Sequence, residues 1–285
     1  MGEAAKISLK AIGKQDTFLL SKDPEESFFN YTENKRHTDF RKYHRSKRVL
    51  NPGQVQNWPF AQSVKVKFEP KNMGDLLSNM YLSIKMPALN TNTSENYADQ
   101  LGRHILKSVT MFVDDIEVEK IHDDWGIIYD ELYLETSEKV ANRFLVNRNL
   151  GFDASESLPS YAKFESDLVI PLQFFFTRKY SSDEYSSNSP NRPYFPTCAM
   201  HRQKLEFEIE FNPQTFFTDD PNPIPINSFD IITEEITVSK NERIYLMNEP
   251  QILVTDIVKK HPTEDSEIGK DLMKIQLVPE IPVKT

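Results

Sequence analysis

Residues Leu205-Glu206-Phe207-Glu208-Ile209-Glu210-Phe211 alternate apolar and acidic without a break. A period of two marks a strand with one face buried and one face wet. The same alternation runs through Val64-Lys65-Val66-Lys67-Phe68 and through Leu82-Ser83-Ile84-Lys85-Met86, which Pro87 ends. Ile170-Pro171-Leu172-Gln173-Phe174-Phe175-Phe176 is too apolar to face water on either side and reads as a buried strand. A polar insert, residues 177–192, separates it from the alternating strand. Apolar Val109–Val113 and the run Ile116-Glu117-Val118-Glu119 flank Asp114-Asp115, where a two-residue hairpin turn fits. Ile231–Val238, Val254–Val258 and Met273–Val278 add further strand-like runs.

Helical spacing is rarer. Trp125, Ile128, Tyr129 and Leu132 recur three and four apart, and Asp123 or Asp124 is placed to cap that helix. A second short turn of helix covers 137–144, and another covers 241–247. Short strands with regular turn signals predict an all-β antiparallel sandwich, and a jelly roll is the natural candidate. Four prolines crowd the stretch 213–225, which reads as a stiff linker. The expected organisation is an arm over 1–30, a first jelly roll with one short helix over 31–212, a Pro-rich linker over 213–228, and the start of an incomplete second jelly roll over 229–285.

Composition narrows the functional classes. The 285 residues include 19 Phe and only 8 Gly, which argues against a glycine-rich phosphate loop. Net charge is −9, which disfavours nonspecific nucleic-acid binding. The one cysteine, Cys198, excludes an internal disulfide and a cysteine metal cluster, and fits a reducing compartment. The first residues hold no apolar core of a signal peptide, and no run is apolar enough to span a membrane. Against this acidic background, 35–48 carries seven basic residues and one acid, a net of +6 that leaves −15 for the remainder. Contact with an acidic neighbour accounts for it better than nucleic acid does.

Candidate chemistry is thin. His122-Asp123-Asp124 offers the only close set of metal donors, and capping by the aspartates is the simpler account. Glu206, Glu208 and Glu210 share one strand face, which reads as solvated or salt-bridged rather than catalytic. No nucleophile elbow is present, so neither an enzyme nor a cofactor is expected. Asn30 and Asn92 head acceptor sequons, and Asn92 is the candidate for glycosylation.

Five segments together resemble the major capsid proteins of nucleocytoplasmic large DNA viruses, the double jelly-roll lineage. They are Gln15-Asp16-Thr17-Phe18-Leu19, Arg36-His37-Thr38-Asp39-Phe40, Gly102–Val109 with Asp123-Asp124-Trp125, Ile170–Arg178, and Glu235–Val238 with Glu242-Arg243. Asp39 stands where the family usually has Asn, and the chain stops within the second jelly roll. The resemblance implies a structural virion protein that assembles with copies of itself as trimeric capsomers into an icosahedral shell. It implies contacts with neighbouring capsomers and minor capsid proteins, no direct nucleic acid, and at most an indirect relation to an inner membrane. The expected location is the virion capsid, after synthesis in host cytoplasm. Charge and apolar spacing, with the resemblance, make Gln15, Asp16, Phe18, Arg36, His37, Asp39, Phe40 and Arg41 the candidate inter-subunit residues. A minor capsid or scaffold protein and a carbohydrate-binding jelly roll remain the alternatives.

Overall fold

The computed structural model describes residues 40–49, 63–89, 96–146, 165–178, 194–200, 202–224, 228–251, 255 and 257–260. Eight strands appear: β1 (Phe40–Val49), β2 (Ser63–Phe68), β3 (Leu76–Met86), β4 (Leu106–Val113), β5 (Ile116–His122), β6 (Ser166–Pro171), β7 (Leu205–Phe211) and β8 (Ser228–Val238). They form two four-stranded sheets, ordered β1-β8-β3-β6 and β2-β7-β4-β5, and every pairing is antiparallel. First pairs with last, second with seventh, third with sixth and fourth with fifth. The chain is therefore one long hairpin rolled over on itself, with successive arms falling into different sheets. This is the jelly-roll sandwich that the strand spacing predicts.

The tip of that hairpin is Asp114-Asp115, as expected. Both residues have positive φ, 50° and 64°, as a type I′ turn demands of its central pair. The Asp114 carboxylate accepts the Lys204 backbone N–H at 2.8 Å, which ties the tip to the approach to β7. Among the described residues Asp115 makes no such bond, so its positive φ costs about 1 kcal/mol or more without that offset. Replacing Asp115 with glycine is expected to stabilise the fold by about 1 kcal/mol, read as a higher midpoint in urea unfolding.

Of two apolar clusters among the described residues, the smaller gathers Leu76, Cys198, Ile236, Val238 and Leu246, and the larger lies between the sheets. Leu82, Ile84, Leu168, Ile170 and Ile231 come from one sheet; Val109, Met111, Leu205, Phe207 and Ile209 come from the other. Phe207 sits at its centre, with Phe68 at 5.3 Å and Phe174 at 5.4 Å between ring centroids, both edge-on.

Three expectations change. The run at 231–238 does not open a second sandwich: β8 inserts between β1 and β3 and completes the first. The prolines of 213–225 thus connect β7 to β8 within one sandwich, and the expected boundary at 213–228 falls inside it. Ile224, in that stretch, is buried in the core. The phenylalanine strand is shorter than expected: β6 ends at Pro171, and Phe174–Phe176 lie beyond it, with Phe175 and Phe176 in a turn. Hydrogen bonds from the Thr177 and Arg178 N–H groups to the Phe174 carbonyl fold the backbone there, yet all three rings remain buried. The short helical turns expected at 137–144 and 241–247 are full helices, and a further, unexpected one lies at 101–104. Besides α1 (Leu101–His104), there are α2 (Asp123–Leu132), α3 (Thr136–Leu145) and α4 (Lys240–Asn248). Of 254–258, the described residues carry no strand, and 273–278 lies outside the described residues.

Candidate functional site

Buried charge fixes the helices to the sandwich. Arg103 on α1 is 5% exposed and grips Asp130 of α2 with two bonds, Nε to Oδ2 at 2.9 Å and Nη2 to Oδ1 at 2.8 Å. Its third arm donates to the Pro171 carbonyl at the end of β6. Asn142 of α3 donates to the same aspartate at 2.7 Å. A planar guanidinium suits this forked geometry, and lysine does not. The space it occupies exists because residue 126 is glycine: a Cβ there would stand 2.9 Å from the Arg103 Cδ. The cap position of α2 is His122, whose side chain makes no cap bond. Asp123 and Asp124 lie inside the first turn, so they serve the helix dipole rather than capping it as expected.

A second buried pair joins Glu119 on β5 to Arg178. Their side chains are 0% and 3% exposed, and Arg178 Nη1 donates to Oε1 at 2.6 Å. The Phe175 and Val258 N–H groups donate to the same carboxylate at 2.8 and 3.2 Å. The guanidinium stands 5.8 Å over the Trp125 ring of α2. Burial pushes the Glu119 carboxyl above its ordinary range, and Arg178 with the two backbone donors offsets part of that rise.

The basic strand β1 meets acid within its own chain. Arg45 lies opposite Glu234 of β8, and His44 opposite Glu235. Glu234 accepts the Tyr43 hydroxyl, the Arg45 guanidinium and the Asn79 amide. Burial raises the Glu234 carboxyl, but these three donors together hold it below its ordinary range. Burial first, and then the bond to Glu234, push the Tyr43 phenol up to about 12. Glu235 accepts the Gly74 N–H and the Thr233 hydroxyl, each at 2.6 Å, with His44 Nε2 at 3.3 Å.

Because the folded Glu234 carboxyl titrates below its unfolded value, the unfolded state takes up its proton first as pH falls. Its stabilisation is complete above the ordinary carboxylate value of about 4.3 and is lost as pH drops through the lower folded value. Glu210 shifts the same way, through Ser108 first and Lys120 and Lys107 after burial has opposed them. Melting temperature should therefore fall on acidification below about pH 4.3. Glu234→Gln should flatten that decline while lowering the melting temperature at neutral pH. An unchanged slope would refute the assignment to Glu234.

The glutamates of β7 form a ladder with lysines. Lys67 lies opposite Glu206 and Lys65 opposite Glu208, with N–O distances of 3.2 and 3.9 Å. The face is salt-bridged. Among the described residues, no group of three His, Cys, Asp or Glu side chains could hold a metal. Cys198 is buried, and burial pushes its thiol up to about 11, which leaves it a poor nucleophile.

Two surfaces stand out instead. One is β1, an edge strand with Lys42, Tyr43 and Arg45 exposed. The other is the α2–α3 pair, where Ile128, Leu132, Val140 and Phe144 are 45%, 68%, 51% and 75% exposed. Of the predicted contact residues, Phe40 and Arg41 belong to β1, and the β1–β8 register breaks between Phe40 and Lys42. Gln15, Asp16, Phe18, Arg36, His37, Asp39 and Asn92 lie outside the described residues. The α2–α3 surface escaped sequence reasoning, although Ile128/Leu132 and Val140/Phe144 at i and i+4 are its signal.

Comparison with known proteins follows this geometry. A family model described as "Major capsid protein N-terminus" matches residues 27–241, an interval that holds all eight strands. The chain is 26% identical over 206 residues to a major capsid protein of Pyramimonas orientalis virus, covering 72% of this chain and 46% of that protein. It thus spans less than half the length of this curated relative. Among solved structures, it is similar to PBCV-1 VP54, in a crystal structure fitted into a cryo-EM reconstruction of the virophage Sputnik. The TM-score is 0.56 at 16% identity, over 79% of this chain and 48% of that one. A quasi-atomic model of the PBCV-1 virus capsid matches over the same shares, with a TM-score of 0.55 at 16% identity.

Proposed function

Because the chain belongs to the major capsid protein family of nucleocytoplasmic large DNA viruses, we propose that it is a structural component of a virion shell. The observation that carries this reading is the family match across 27–241, which takes in the whole rolled sandwich. A jelly roll alone supports many functions, so the fold by itself does not carry it.

In the finer reading the chain assembles with copies of itself into trimeric capsomers, which tile with neighbouring capsomers and meet minor capsid proteins. It does no catalysis and binds no nucleic acid directly, and any relation to an inner membrane is indirect. It is made in host cytoplasm and ends in the capsid. The arm residues Gln15, Asp16 and Phe18, with Arg36, His37, Asp39, Phe40 and Arg41, contribute to contacts between copies, and Asn92 is the glycan acceptor. A basic segment in an otherwise acidic chain supports this, since opposite charges steer association.

Sedimentation of the purified chain over a range of concentrations tests the proposal. Discrete oligomers are expected, and reversing Arg36 and Arg41 to glutamate should reduce them. A monomer at every concentration would remove the assembly reading. Oligomers unmoved by the charge reversal would remove those two residues from it.

A further inference from the structure

The chain does not leave the sandwich at the end of α4. Pro250 and Gln251, just past that helix, share a groove with Val113 and Val118 of the β4–β5 hairpin. Further on, the Val258 N–H donates to Glu119 Oε1 at 3.2 Å. Lys260 Nζ then meets Asp124 Oδ2 and stands 3.9 Å from Asp123 Oδ1. Val118, Glu119, Asp123 and Asp124 follow one another along β5 and into α2, so the returning segment tracks that junction in the same direction.

These contacts differ from ordinary surface pairs in what they join. Glu119 is fully buried, and Oε1, the oxygen that takes Val258, also takes Arg178 Nη1 at 2.6 Å. The Phe175 N–H holds the other oxygen. Three stretches far apart in sequence thus meet on one carboxylate: β5, the segment beyond β6 and the segment beyond α4. A hydrogen bond to a charged acceptor is stronger than one to a neutral acceptor. Lys260 by itself would contribute little, because its side chain and that of Asp124 are 39% and 58% exposed. It lies two residues from Val258, however, so each contact holds the other within reach and the two act together. Acids in the first turn of α2 offset the helix dipole, which would otherwise repel a cation at that end. His122 senses the cation: burial first, and then the Lys260 charge, hold its imidazole below the ordinary value.

We propose that residues 257–260 act as a clasp. Docked across the β5–α2 junction, they fix where the rest of the chain departs, and that docking depends on the Glu119–Arg178 pair. The continuation from 261 then starts beside the first turn of α2 rather than at the end of α4, with its direction set by the sandwich. Breaking either contact turns the segment into a free tether and removes that control.

Amide hydrogen exchange on the full chain tests this, read residue by residue by NMR, with β7 as the internal reference. The Val258 amide should exchange about tenfold or more slower than in an unstructured peptide, as a bond to a charged acceptor requires. Lys260→Glu should remove most of that protection and leave β7 unchanged; adding Asp124→Lys should restore much of it. Arg178→Met with Glu119→Leu removes the acceptor without stranding a charge, and it should also free the segment while β7 stays protected. Lys260→Gln should raise the pH at which His122 titrates. Exchange of 257–260 at the unstructured rate in the native chain overturns the clasp. A Val258 amide equally slow in Lys260→Glu overturns it as well, and because Lys260 is an exposed position, that variant decides the matter by itself. An unmoved His122 places Lys260 elsewhere and has the same force. The measurement reads a single chain, so its outcome is independent of the assembly reading.

Discussion

Replacing Arg178 with alanine is expected to destabilise the fold by about 3–5 kcal/mol. The reason lies in what remains. Glu119 is fully buried, and its carboxylate would keep only the N–H groups of Phe175 and Val258. Burial already opposes its charge, and Arg178 is its principal counterweight. Removing one member of a buried ion pair strands the other, which costs far more than the pair contributes in net terms. A domain has roughly 5–15 kcal/mol in total, so the variant should unfold at much lower urea than the wild type. The double change Arg178→Met with Glu119→Leu should recover most of the loss, because no uncompensated charge is left behind. Truncating exposed Lys67, whose partner lies in the β7 ladder, should by contrast cost under about 1 kcal/mol. If Arg178→Ala unfolds at the wild-type urea concentration, the pair is not an anchor.

The second large effect is expected at Phe207. Phe207→Ala removes a fully buried ring from between the sheets and should cost about 3–5 kcal/mol. The ring touches Phe68 of β2, the strand paired with its own, and Phe174 beyond β6, so it ties the β2–β7 pair to a segment of the other sheet's side that hydrogen bonds do not join to it. The surrounding phenylalanines are themselves interlocked: Phe174 stacks on Phe176 at 5.8 Å and 9°. A core braced in this way collapses little into the vacancy, which keeps the cost at the upper end. Thermal melts of the variant check this, and Phe207→Leu should cost appreciably less.

Much of this fold is legible in the residues. Strict alternation at Leu205–Phe211 predicts β7, and two aspartates between apolar runs predict a two-residue hairpin turn. The class of sandwich follows from these. Strand membership does not. Val254 and Ile231 sit in equally strand-like runs, and only long-range pairing reveals that the latter run belongs between β1 and β3. Prolines after Phe211 look like a boundary because local sequence cannot tell a connection between sheets from one between domains.

Glu119 illustrates a subtler limit. In Ile116-Glu117-Val118-Glu119, alternation places the glutamates outward, yet Glu119 is buried while Ile116 is 69% exposed. The register between β4 and β5 shifts at this point: Met111 faces Glu119 and Phe112 faces Glu117. Val118 is the extra residue of a bulge, which switches the faces that follow. No signal within β5 announces it. The helix at 240–248 was better marked than its short expected span suggests, since Ser239 accepts the Glu242 N–H as a cap.

The nested pairing also sets a timetable for the growing polypeptide. Val113 finds Ile116 almost at once, and Tyr81 must wait for Pro171. Strand β1 waits longest: Tyr43 bonds Glu234, 191 positions further on. On a ribosome that adds about 5–20 residues per second, the basic strand emerges many seconds before its acidic partner. During that interval the most cationic part of the chain has no strand to lie beside, and it is available to chaperones or to neighbouring nascent chains. Closure of the outermost pair can begin only when translation has passed the eighth strand.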